Sequence, residues 1–149
     1  MHQRMSGAAP PAIGAVASLW RYPVKSMLGE ELDVADVTEQ GLLGDRCYAL
    51  LDRDTGKVAS AKHPRKWSAL FACSARYVEP PQPGSPLPPV RLALGSGEVV
   101  TSDQPERDAA LSRALGRAVT LVSAAPVQAT YEEYWPDLAG LDPVGEPVA

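Results

Sequence analysis

A mainly β fold, barrel-like and of α+β character with one clear helix, is what this sequence predicts. Three observations carry that expectation. Short runs of β-branched, aromatic and aliphatic residues recur along the chain, separated by Gly, Pro, Asp and Ser clusters. One segment alone combines a capping signature with helical apolar spacing. A length of 149 residues suits a single domain with a core of its own.

The elements follow in order. Residues 1–11 are polar and small, without the apolar run of a signal peptide, and read as a disordered leader. The domain proper is expected over 12–125. Ala15 to Tyr22, with Val16, Leu19 and Trp20, has strand composition and stops at Pro23. Leu32 to Val37 is mostly apolar at even spacing. Arg46 to Asp52 is an apolar strand, Asp54-Thr55-Gly56 is a turn, and Lys57 to Ala61 can return as the other arm of a hairpin. Trp67 to Val78 alternates in the manner of a further strand. The proline-rich run from Pro80 to Pro89 cannot supply ladder N–H groups and reads as an exposed connection, with a polyproline ligand as the alternative. Val90 to Leu94 and Glu98 to Thr101 flank Gly95-Ser96-Gly97 as a hairpin. The helix is expected near 104–115: Asp103 as cap, Glu106 completing a capping box, a stripe of Ala110, Leu111, Ala114 and Leu115, and Gly116 as terminator. Ala118 to Ser123 is the last strand. Residues 126–149 read as an irregular tail with five acidic residues and no Lys or Arg.

Composition narrows the function. A net charge of −4 argues against general affinity for nucleic acid. Apolar stretches such as Tyr48 to Leu51 fall far short of the roughly 20 residues a spanning helix needs. No membrane role is therefore expected, and the cytoplasm is the default location. Cys47 and Cys73 read as free thiols rather than a disulfide, given no secretion signal. His63 stands alone, and a loop or surface role is expected of it.

Three segments suit anion handling. In Tyr22-Pro23-Val24-Lys25-Ser26, Lys25 brings a point charge and Ser26 a hydroxyl on a turn; a plainly solvated turn is the alternative. In Gly41-Leu42-Leu43-Gly44-Asp45-Arg46, Arg46 offers a planar fork for an oxyanion, while Asp45 either orients it or simply pairs with it. The run Lys57 to Lys66 is basic, with no acid between Asp54 and Glu79, and either faces an anion or forms the solvated side of a hairpin. No catalytic set, GxGxxG or Walker-type loop is present.

Taken in order, these segments resemble the N-terminal domain of MOSC proteins. The resemblance rests on YPVKS at 22–26, Gly29-Glu30, the GL-GDR run at 41–46, the TGK hairpin from Asp52 to Lys57, and Ala61 to Arg65 with its Pro-Arg pair. Tyr134-Trp135-Pro136-Asp137 is similar to the stretch that precedes the family's second domain. The family includes molybdenum–pterin reductases of N-hydroxylated compounds. Position for position, the resemblance implies cofactor contacts from Lys25, Ser26 and Arg46, with Arg65 matching a further basic position. It also implies that molybdenum is bound by a cysteine of the second, C-terminal half, which neither Cys47 nor Cys73 matches. The expected function is thus the pterin- and phosphate-facing domain of a molybdenum-cofactor oxidoreductase. It would be active only with a separate or missing C-terminal MOSC half, and the partner expected is that half or an electron-transfer protein. The alternatives are a standalone molybdopterin or anion-binding module, or a non-catalytic remnant.

Overall fold

The computed structural model describes residues 11–123, and both the expected leader and the acidic tail lie almost wholly outside that range. Nine short strands form four small antiparallel sheets, with two short helices. The mainly β expectation therefore holds, although the sheets do not close into one continuous barrel ladder. Strand β1 (Leu19–Arg21) pairs with β2 (Glu30–Leu32), and β3 (Val37–Thr38) with β4 (Gly41–Leu42). Strand β5 (Tyr48–Asp52) pairs along its whole length with β9 (Val119–Ser123). Strands β6 (Ser74–Tyr77), β7 (Val90–Ala93) and β8 (Val99–Thr101) form a three-stranded meander.

The strip Tyr22 to Leu28 ties these pieces together. Val24 bridges to Tyr48 and Leu28 to Ser74, both in parallel sense, so one short segment, turned in its middle, joins the β5 sheet to the β6 sheet. Pro23 donates no N–H, yet its carbonyl accepts from Tyr48 N–H (3.0 Å), so proline costs this edge nothing on the acceptor side. Beneath the strip lies the core. Trp67, Leu50, Leu70, Leu92, Leu111, Val24 and Val119 are all fully buried, and helix α2 (Arg107–Leu115) closes one side with Ala110 and Leu111.

Several elements depart from the sequence expectation. Trp67 to Val78 is a strand only from Ser74. Pro64 opens a short helix, α1 (Pro64–Trp67), whose first turn His63 caps by accepting Lys66 N–H on Nδ1 at 3.3 Å, and a 3₁₀ turn (Ser68–Ala72) continues it. Proline at the first helical position sets the dihedrals for a turn, and this local preference overrides the alternating pattern. The expected capping box also fails. Asp103 is engaged by the Thr101 hydroxyl and Gln104 Oε1 accepts Thr101 N–H (2.9 Å), so the helix starts at Arg107 without a side-chain cap. Its other end is as expected: Gly116 is left-handed at φ +65°, and Arg117 N–H reaches back to Ser112 O. Lys57 to Ala61 does return along β5, on the edge opposite β9, with Asp52 N–H on Lys57 O and Ala59 N–H on Leu50 O (both 2.8 Å), but the pairing stops at one bridge, Val58 to Leu51, because Val24 takes the Tyr48 end of that edge. Leu32 to Val37 splits between the ends of β2 and β3.

Candidate functional site

Two turns build the site. Val24-Lys25-Ser26-Met27 is a tight turn in which Met27 N–H points to Val24 O, and Ser26, its third residue, has φ +68°. That position normally favours glycine. The second turn runs from Leu42 to Asp45, with Asp45 N–H on Leu42 O (3.0 Å) and Gly44 at φ +82°; Arg46 follows at φ +52°. Ser26 and Arg46 are the two non-glycine residues of the described chain with positive φ. Left-handed backbone costs a side-chain-bearing residue about 1–2 kcal/mol, and such strain collects at functional positions.

Residues twenty apart meet because the two turns are zipped together. Arg46 N–H donates to Tyr22 O (2.7 Å), and Tyr22 N–H donates to Asp45 Oδ1 (2.7 Å). The other carboxylate oxygen of Asp45 pairs with the Arg46 guanidinium, which lies 5.0 Å above the Tyr22 ring. Asp45 therefore both pairs with Arg46 and orients it. The Arg46 side chain remains 58% exposed, leaving part of its donor fork toward solvent. On the facing side Ser26 Oγ accepts Ala61 N–H (3.0 Å), which leaves the hydroxyl proton for another acceptor.

Lys25, Ser26 and Arg46 thus line one open cleft of about 350 Å³, together with Tyr22, Met27, Leu28, Ser60, Ala61, Lys62 and Phe71. Arg65 is not among its lining residues. It sits exposed on α1, so the Pro-Arg segment contributes from Ser60 to Lys62 and not from its arginine. The basic run 57–66 is divided in purpose. Lys62 faces the cleft, whereas Lys66 turns inward to the buried Asp52 (2.7 Å). Although burial alone would raise the Asp52 carboxyl, the hydrogen bonds and charge of Lys66, the Asp54 N–H and the Thr55 hydroxyl hold it below its ordinary value.

Sequence reasoning missed a supporting shell. Arg21, 7% exposed, pairs with Glu30 (2.8 Å), donates to Leu43 O (3.3 Å) and stacks on Tyr77 at 4.9 Å. The Tyr77 hydroxyl in turn donates to Gly44 O (2.9 Å), and burial pushes its ionisation far above the ordinary phenol value. These two side chains hold the carbonyls of Leu43 and Gly44, the two residues just before Asp45. The close approach explains the family-like glycines: a Cβ at Gly44 would come within 2.8 Å of the Tyr77 ring, and one at Gly29 within 2.2 Å of Arg21 O. An arginine ending an apolar strand, with a glutamate nine residues on, was the only signal in the sequence.

The cleft suits an oxyanion: cationic and hydroxyl donors on an apolar floor, near the lower size limit of small-molecule pockets. It does not suit a metal. Among the described residues no group of three or more His, Cys, Asp or Glu could hold one. Cys47 and Cys73 are free thiols, half-buried and buried. No described helix is long and apolar enough to cross a membrane. Comparison with curated proteins and with solved structures gave no match. Residues 13–79, somewhat under half of the chain, match the family described as the MOSC N-terminal beta barrel domain. That stretch spans β1 to β6 and includes Lys25, Ser26, Arg46 and Arg65.

Proposed function

We propose, taking residues 13–79 as a MOSC N-terminal domain, that this protein holds the anionic, pterin-bearing end of a molybdenum cofactor for an oxidoreductase acting on small N-hydroxylated or similar substrates. The observation that carries the reading is the shared cleft of Lys25, Ser26 and Arg46, two of them held in left-handed backbone. Lys25 supplies charge, Ser26 a hydroxyl donor, and Arg46 a fork aimed by Asp45 and Tyr22. When bound, the cofactor supplies two-electron redox chemistry at molybdenum. The chain's own contribution is to grip and orient its polar end. The cleft's size fits a phosphate with part of the attached ring system rather than a whole cofactor. In this reading the metal-ligating cysteine comes from a C-terminal MOSC half, the protein works in the cytoplasm, and electrons come from a partner.

Co-expression with a cysteine-bearing MOSC half, followed by pterin and molybdenum analysis, tests the proposal. A charge-assisted hydrogen bond contributes about 1.5–3 kcal/mol, so Arg46→Ala should weaken pterin retention by roughly tenfold or more. Arg46→Lys should recover only part of it, since a point charge does not reproduce the fork. Retention unchanged in Arg46→Ala would reduce the Asp45–Arg46 pair to a surface ion pair and end the assignment. Pterin retained without molybdenum, whatever half is supplied, would instead favour a binding module.

A further inference from the structure

One wall of the cleft has no part in gripping an anion. Phe71 is the single phenylalanine of the sequence, yet it stands 51% exposed on the cleft and outside the core. The 3₁₀ turn Ser68–Ala72 puts it there: Leu70 points inward and is fully buried, and the next residue turns outward. Leu28, 53% exposed, lines the same cleft. Backbone bonds fix the two relative to each other. Leu28 N–H donates to Cys73 O and Ala75 N–H donates to Leu28 O (both 2.9 Å), so the strip that carries Lys25 and Ser26 is anchored to the chain just after Phe71. No ring or cation among the described residues stacks on Phe71. Tyr22, the other aromatic of the lining, is engaged by the Arg46 guanidinium.

We propose that Phe71, with Leu28 beside it, is a stacking wall that selects phosphate monoesters carrying a flat, unsaturated ring. The phosphate lies on Lys25, Ser26 and Arg46 and the ring lies against Phe71. The assignment rests on the anion site of the proposed function and adds that the attached ring, and not charge alone, decides which phosphate compound is held. Charge in the cleft is of one sign: Lys25, Arg46 and Lys62 line it and no Asp or Glu does, while the Asp45 carboxylate pairs with Arg46 and with Tyr22 N–H without lining it. An apolar ring left half in water gains from being covered, and a flat partner adds the offset-stacked arrangement that aromatic pairs favour. A cleft of about 350 Å³ has room for such a ring beside the phosphate. The wall is also ready before the ligand arrives, because Phe71 is carried on a turn pinned at both ends of its contact with Leu28.

Calorimetric titration of the full chain with phenyl phosphate, cyclohexyl phosphate and inorganic phosphate tests the proposal. Cyclohexyl phosphate matches phenyl phosphate in charge, but its ring is not flat. Phenyl phosphate should bind about threefold to tenfold more tightly than cyclohexyl phosphate, and more tightly still than inorganic phosphate. In Phe71→Ala the preference for the flat ring should vanish while the affinity for inorganic phosphate stays unchanged. Phe71→Trp should keep the preference. Phe71 lies outside the buried core, so both variants should fold. Equal affinity for phenyl and cyclohexyl phosphate in the parent, or a preference that survives in Phe71→Ala, would overturn the wall. Inorganic phosphate that binds the parent and is weakened in Arg46→Ala would still leave the anion site standing. If no phosphate binds the parent, or binding is untouched in Arg46→Ala, the anion site itself fails and the wall fails with it.

Discussion

Replacing Gly44 by alanine tests the supporting shell directly. The position has φ +82°, and the added methyl would stand 2.8 Å from Tyr77 Cε2 and 3.0 Å from its hydroxyl oxygen. The ring cannot swing aside cheaply: it is buried, covered by Arg21 at 4.9 Å, and tied by its hydroxyl to Gly44 O. Left-handed strain on alanine costs about 1–2 kcal/mol. Forcing a methyl against a packed ring adds about 1–3 kcal/mol. Gly56 supplies the control, with a similar φ of +70° and nothing within 4 Å of its would-be Cβ, so Gly56→Ala carries only the strain. Urea unfolding should therefore give a loss of roughly 2–5 kcal/mol for Gly44→Ala against about 1–2 kcal/mol for Gly56→Ala. At ~2–4 °C per kcal/mol for a chain of this size, the first should lower Tm by about 10 °C. If the two variants agree within about 0.5 kcal/mol, Tyr77 does not brace the turn and the account of the shell is wrong.

Other outcomes follow from the same geometry. Because the Asp52 carboxyl lies below its unfolded value of 3.8, its stabilisation is full above that value and is lost as pH falls through the lower folded value. An acid titration of stability should show this limb in the parent and not in Asp52→Asn. Lys66→Met strands the buried carboxylate and should cost about 3–5 kcal/mol at neutral pH by chemical denaturation. Ser26→Ala removes the acceptor of Ala61 N–H and should cost about 1–3 kcal/mol as well as weakening anion binding, measured by calorimetry with inorganic phosphate. With a thiol reagent under native conditions, half-buried Cys47 should react well before buried Cys73; equal rates would contradict the burial difference.

The sequence conveyed strand composition better than strand partnership. Gly95-Ser96-Gly97 marked its hairpin, and the stripe Ala110, Leu111, Ala114, Leu115 marked the buried face of α2. The hairpin return at Lys57 to Ala61 was legible from its turn and forms a short bridge to β5, but nothing local could reveal that the other edge of β5 pairs with β9, some seventy positions away. Asp103 had the spacing of a cap, but the Thr101 hydroxyl competes for its carboxylate, a conflict that spacing does not encode. At the cleft, Lys25, Ser26 and Arg46 were legible from residue chemistry and from the family resemblance. Arg65 was carried over by position alone, and the helical turn opened by Pro64 takes it away from the cleft lining. The Arg21–Tyr77 brace was invisible because its partners are backbone carbonyls, which every sequence has.

The β5–β9 ladder means that the family boundary and the cooperative folding unit do not coincide. The match ends at residue 79, yet the strand that completes β5 runs from 119 to 123 and those that complete β6 lie from 90 onward. A polypeptide cut at the match would present β5 and β6 as naked edges, each a template for pairing with another molecule. It would also expose Leu50 and Leu70 from beneath α2 and β9. During synthesis the first half must likewise wait for the last strand before its longest ladder can form, and that ladder carries the loop-closure entropy of the whole stretch between them.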